Sequence, residues 1–182
     1  MRKYVVAGGL LAAVLLAVPV AAAIRALTLG EMLGITHDTV LARITAKTTF
    51  AVPYPFEEAV WTRLTLQGES LRTGQPFAGT VVFLGSHDPA DQFGTSEMPT
   101  LQDTRVGQSA VVFFEKDVAF PGGTANVAHN LAYVYRVEDG FGTPVVIGKG
   151  EGAAFPENIK LADVRAQVLA TVPVAPAVPA DK

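Results

Sequence analysis

The chain contains no cysteine among its 182 residues. That excludes a disulfide framework, a thiolate metal site, a cysteine nucleophile and an anchor on a lipid-modified cysteine. Tryptophan occurs once and histidine three times, so a histidine-rich metal centre has few ligands to draw on. Basic residues are sparse, with fourteen Lys and Arg against seventeen Asp and Glu and a formal charge of −3. Nucleic acid calls for a clustered basic surface, and so does docking to anionic lipid. Neither partner is expected. The strong catalytic signatures are missing as well: there is no HExxH, Walker loop, EF-hand loop or GxSxG elbow. No cofactor motif and no internal repeat is visible.

What is present begins with an export signal. Arg2 and Lys3 precede an apolar run, Pro19 breaks it, and Ala21, Ala22 and Ala23 supply the small residues a signal peptidase inspects. Cleavage after Ala23 is expected, giving residues 1–23 as signal peptide and a periplasmic or extracellular product. The competing reading is an uncleaved anchor, because residues 4–24 are apolar and about 20 such residues span a bilayer. The hydrophobic fraction of 49% is raised by this segment. It does not by itself indicate a membrane protein.

Residues 24–170 read as one domain, held by its own core since no disulfide is available. Thr28 and Glu31 have capping-box spacing at the start of a short helix, with Gly34 expected to end it. The period then changes to two. Val40, Ala42, Ile44 and Ala46 alternate with Arg43, Thr45 and Lys47, which predicts a half-buried strand. "FAVPYPF" should interrupt it, since proline cannot donate to a ladder. A second alternating strand carries Val60, Thr62, Leu64 and Leu66 opposite Trp61, Arg63 and Thr65. "GTVVFL", "AVVFF" and residues 131–137 and 144–147 read as four more strands, with "EDGFGTP" as a hairpin loop. Gly148, Gly150 and Gly152 suggest bulges or close backbone approach. Leu161, Val164 and Val168 have helical spacing. Residues 171–182 form an Ala/Pro-rich tail.

About six short strands with a short helix at each end predict a mainly β fold, a small antiparallel barrel, with a two-sheet β-sandwich as the alternative. The order of "TLGEML", "DTVLARI", "WTRLTLQGESL", "RVGQSAVVFF" and "GKGEG" resembles a group of uncharacterised exported bacterial proteins with an OB-like β-barrel. The resemblance covers residues 27–168. It implies an architecture and no catalytic residue.

Candidate chemistry is limited. In "SHDPADQF" the side chains of His87, Asp88 and Asp91 offer one nitrogen and two oxygens to zinc or calcium. The plainer reading is a polar turn opened by Asp-Pro. In "GESLR" Ser70 lacks the final glycine of a nucleophile elbow, and "GKGEG" lacks the following helix that a phosphate cradle needs. Glu57 and Glu58 are neighbours, so on an extended chain they point apart. Finally, "ANVAHNLAYVYRV" sets His129 and Asn130 before Tyr133 and Tyr135. These four could bind a polar ligand beside a barrel face. Alternatively, His129 and Asn130 support the loop backbone and the tyrosines pack.

The sequence therefore points to an exported, non-catalytic binding or interaction domain of the cell envelope. Its partner would be an envelope protein or a small polar ligand. One alternative is a metal-assisted hydrolase using the 86–91 loop, and another is a structural envelope protein spaced by its tail. The sequence supports no cofactor.

Overall fold

A computed structural model describes residues 27–54, 57–91 and 97–171. The expected signal peptide and all but the first residue of the tail lie outside these. The first helix, α1 (Leu29–Ile35), starts on the predicted capping box. The Thr28 hydroxyl accepts the Glu31 N–H at 3.2 Å, and the Glu31 carboxylate accepts the Thr28 N–H at 2.9 Å. Gly34 does not end the helix. It runs on to Ile35, where Arg72 takes over its free carbonyls, donating to Leu33 O at 2.6 Å and Thr36 O at 3.0 Å.

Eight strands follow: β1 (Asp38–Tyr54), β2 (Glu57–Ser70), β3 (Pro76–Leu84), β4 (Ser109–Phe120), β5 (Gly123–Val127), β6 (Val134–Gly140), β7 (Thr143–Val146) and β8 (Ile159–Lys160). A second helix, α2 (Leu161–Thr171), closes the described chain. The fold is mainly β, as the alternating segments predict, with two more strands than the six they mark. The additional two are β5 and β8. β1 also continues through Pro53. Beyond Arg43 its strand partner is β2 alone, and a proline is tolerated where one edge needs no donor.

All eight strands belong to one sheet, so the two separate sheets of a sandwich do not form. Its neighbours follow β1–β2–β3–β5–β4, and β4 pairs back onto β1 from Asp38↔Phe114 to Arg43↔Ser109. The sheet is thus partly ringed. The seam is narrow: β3 and β5 run parallel and meet at Val82↔Val127, where Ala128 N–H also donates to Val82 O at 2.9 Å. On its other edge β4 carries β6, which leads to β7 and β8. Gly68 permits the tight β1–β2 coil, because a Cβ there would stand 2.0 Å from Leu41 O.

One apolar cluster fills the ring and continues beneath α1 and α2. Val40, Ala42, Ile44, Leu64, Leu66 and Val81 come from the alternating strands. β4 is buried on both faces, as its unbroken apolar run implies, with Val112 and Phe113 both at 0% exposure. The Phe113 ring meets Tyr135 at 6.0 Å and Phe155 at 6.1 Å. Among the described residues no helix is long and apolar enough to cross a membrane.

Candidate functional site

The four residues of the 129–135 stretch separate in the fold. Tyr133 and Tyr135 are buried, and the strand begins only at Val134. Residues Leu131–Tyr133 form a single 3-10 turn whose entry is capped by Asn130, its Oδ1 accepting the Ala132 N–H at 2.8 Å. The Tyr135 hydroxyl accepts the Ala154 N–H at 3.1 Å, and burial pushes its pKa up to about 12. Neither ring presents an open face to a ligand. His129 stays at the surface, with Nε2 3.1 Å from Glu115 Oε1 and its ring edge-on to Tyr133 at 5.6 Å. Burial, with the nearby Glu115 charge, raises the Tyr133 pKa. Asn130 supports the backbone, and His129 has a carboxylate neighbour.

The 86–91 loop turns its polar atoms on itself. His87 Nε2 donates to Pro99 O at 2.6 Å, Asp91 accepts the Ser86 hydroxyl, and Asp88 Oδ1 accepts the Ala90 N–H at 2.9 Å. Each candidate ligand is engaged locally. Among the described residues no group of three or more histidine, aspartate and glutamate side chains converges as a metal ion needs. His87 and Asp88 border an open groove of about 530 Å³ together with Lys47, Leu101 and Val106.

A buried polar cluster fastens the other end of this long connection. Asp103 accepts from Lys149 Nζ at 2.8 Å and from the Thr100 hydroxyl at 2.7 Å, while Arg136 approaches at 3.4 Å. Lys149 also donates to Leu131 O at 2.6 Å and lies 5.2 Å from the Tyr135 ring centre. Burial alone would raise the Asp103 carboxyl. The Lys149 charge and the hydrogen bonds from Lys149 and Thr100 outweigh it, and the carboxyl is held below its ordinary value. Every charge here is matched, so the cluster acts as a fastening.

A surface with unmatched chemistry lies on β1, β2 and β3. Cross-strand partners share a face, and the register pairs Phe50 with Trp61, Thr48 with Arg63 and Thr65 with Thr80. Phe50, Trp61, Arg63 and Thr80 therefore share one face, while Leu64, Leu66 and Val81 enter the core from the other. Phe120, at the end of β4, folds its ring over that face, 4.9 Å from Trp61 and 6.3 Å from Phe50. Gly122 leaves it room, since a Cβ there would be 2.5 Å from the Phe120 ring. The three rings remain half-buried.

Between this face and the β4–β5 hairpin runs a cleft of about 330 Å³. Arg63 and Thr80 line it from the sheet, and Asp117, Phe120, Thr124 and Asn126 line it from the hairpin. The Arg63 guanidinium stacks 4.8 Å over Phe50 and makes no hydrogen bond or ion pair among the described residues. Asp117 stands at the bulge between Glu115 and Val118 with φ 54°, and its ion pair is a loose 3.9 Å contact with Lys116. Bulges re-aim side chains in this way. Asn126 donates from Nδ2 to Thr80 O at 3.0 Å, which keeps its carbonyl oxygen available. The Trp61 indole N–H is buried with no acceptor among the described residues.

A larger groove of about 670 Å³ crosses the outer face between Leu41, Gln67, Val137 and Leu161. Two of its four charges are matched, Glu69 with Arg165 of α2 and Glu138 with Arg136 at 2.6 Å, while Asp139 only accepts the Gly142 N–H at 2.8 Å and the Arg43 guanidinium has no partner among the described residues. The cleft differs in setting its open pair against an aromatic side, Phe120 on Trp61, in half the volume. Its sheet side was legible in the alternation of Trp61, Arg63 and Thr65. Its hairpin side was not, because "PGGTANV" carries no strand pattern.

The chain matches no known protein family, no curated protein and no solved structure.

Proposed function

We propose that the protein is an exported, non-catalytic binding domain on an OB-like barrel, and that the cleft beneath the β4–β5 hairpin holds a polar ligand. The OB-like reading draws support from the ring of five strands β1–β2–β3–β5–β4. Barrels of that design bind ligands on the face of their second and third strands and on the loop between the fourth and fifth. The cleft lies at that position. The observation that carries the binding reading is the pair Arg63 and Asp117: opposite charges lining one cleft, unbonded to each other, beside three half-buried aromatic rings. Charges left open this way are available to a ligand, whereas those of Asp103 and Lys149 are not. The alternative of a metal-assisted hydrolase on the 86–91 loop lacks comparable support, since His87, Asp88 and Asp91 direct their polar atoms to Pro99 O, the Ala90 N–H and the Ser86 hydroxyl.

The test is retention of envelope material by immobilised residues 24–182. The wild type should hold a component that the double variant Arg63→Ala/Asp117→Ala releases, with unchanged circular dichroism. Equal retention by both would remove the cleft as the site. Export itself is checked by N-terminal sequencing of the mature protein, which should begin at Ile24.

A further inference from the structure

We infer that the cleft is shaped for a neutral, polyhydroxylated ligand, a short glycan segment. This rests on the cleft being the binding site, as proposed above. The donor and acceptor set defines the class. Arg63 can only donate and Asp117 can only accept, while Thr80 and Thr124 do both and Asn126 keeps an acceptor. A ligand must therefore present acceptors to the sheet side and donors to the hairpin side within one small space. Hydroxyl groups do both at every position.

Charged ligands fit less well. A phosphate or carboxylate satisfies Arg63 but faces the Asp117 carboxylate, and an ammonium group has the reverse problem. A nucleic-acid strand would gain one free guanidinium against a net charge of −3. A small zwitterion satisfies both charges, but it leaves the two threonine hydroxyls and the aromatic side without a role. Phe120, backed by Trp61 and Phe50, gives the C–H face of a sugar ring a partner, because the negative π face attracts weakly positive C–H groups. A volume of about 330 Å³ is at the small end of ligand sites. It suits one or two rings of a chain whose ends continue into solvent. Arg63, already stacked on Phe50, loses little freedom on binding.

The sole tryptophan supplies the readout, since Trp61 is 4.9 Å from the cleft residue Phe120. Folded residues 24–182 are titrated with four neutral trisaccharides: chitotriose, cellotriose, maltotriose and mannotriose. Glycine, inorganic phosphate and a ten-nucleotide DNA are titrated in parallel. At least one trisaccharide should change the Trp61 emission saturably, and the three other probes should not. Asp117→Asn and Arg63→Met should each weaken that binding at least about tenfold, the scale of a lost charged hydrogen bond. Two outcomes overturn the inference: no trisaccharide saturates the signal, or glycine, phosphate or DNA does so instead. In either case the site reading survives if Arg63→Ala/Asp117→Ala still releases envelope material. It falls with the glycan reading if that retention is also unchanged.

Discussion

Asp103 and Lys149 meet at 2.8 Å with side chains 2% and 8% exposed, whereas Arg63 and Asp117 border one cleft without touching. Both pairs join segments far apart in sequence. The first is surrounded by further partners, Thr100, Arg136 and the Leu131 carbonyl, so its charges are neutralised within the fold. The second faces water with one cation stacked on a ring and one carboxylate on a bulge. Burial explains the contrast. A buried charge must be matched or it destabilises the fold, while a charge at the surface can stay open for another molecule. Matched pairs indicate structure, and open pairs indicate a place to look for function.

The largest effects should come from the matched interior. Phe113→Ala empties a fully buried site against Tyr135 and Phe155 and is expected to cost about 3–5 kcal/mol in urea unfolding. A loss under about 1 kcal/mol would mean that β4 is not a central strand. Lys149→Ala leaves Asp103 buried with the 3.4 Å contact to Arg136 as its one remaining ion pair among the described residues, and the loss should again be about 3–5 kcal/mol. The double variant Asp103→Leu/Lys149→Met should cost clearly less than Lys149→Ala, because it leaves neither charge stranded. If the single and double variants match, the pair is not the fastening described.

Acid should loosen the same cluster. The Asp103 carboxyl is held below its ordinary value in the fold. Its contribution is therefore complete above the unfolded carboxylate pKa of about 4 and disappears as pH falls toward the folded value. Wild-type Tm should drop as pH is lowered below about 4. Asp103→Asn should start lower at neutral pH and lose less over the same interval. Parallel curves would show that other carboxylates dominate the acid limb.

Much of the scaffold was legible because burial on one face imposes a period. β1 and β2 show it in Val40, Ala42, Ile44, Leu64 and Leu66, and β4 shows its double burial as an unbroken apolar run. β5 was not legible: Gly123, Ala125 and Asn126 have little strand preference, and their place is set by the tight turn from Phe120 and by pairing with β4. β8 is two residues long and pairs only with β7. Tyr135 looked like a ligand-facing residue because alternation sets it on one strand face with Tyr133, directly after His129 and Asn130. Phe155, twenty residues later, covers it. Asp103 and Lys149 were invisible as partners for the same reason, since nothing local in a polar loop or a glycine-rich strand end records a contact 46 residues away. The cleft was half visible, the sheet side through Trp61 and Arg63, the hairpin side only as the 119–130 loop and without its strand pairing.

The smaller effects belong to the surface. His129→Asn removes the contact with Glu115, where the two side chains are 42% and 36% exposed, so solvent screening keeps its contribution at or below about 1 kcal/mol. The variant should fold normally and retain any ligand bound in the cleft. A loss of hydrolytic activity by about a hundredfold or more would instead make His129 a general base.

The smallest stability change is expected at the cleft itself. Asp117 is exposed, its nearest charge is a neighbouring lysine at 3.9 Å, and it stabilises no buried partner. Asparagine has nearly the same shape and is among the residues that tolerate the left-handed backbone, here φ 54°, so Asp117→Asn removes charge without adding strain. The variant should unfold within about 0.5 kcal/mol of wild type. Binding in the cleft, by contrast, should fall at least about tenfold. Lys149→Ala should show the reverse: a large stability loss and, at temperatures where the fold survives, nearly unchanged affinity. Measuring urea unfolding and Trp61 emission on the same two variants tests that crossing directly. If Asp117→Asn destabilises the protein as much as Lys149→Ala does, the open pair is structural after all, and the cleft loses its claim as the binding site.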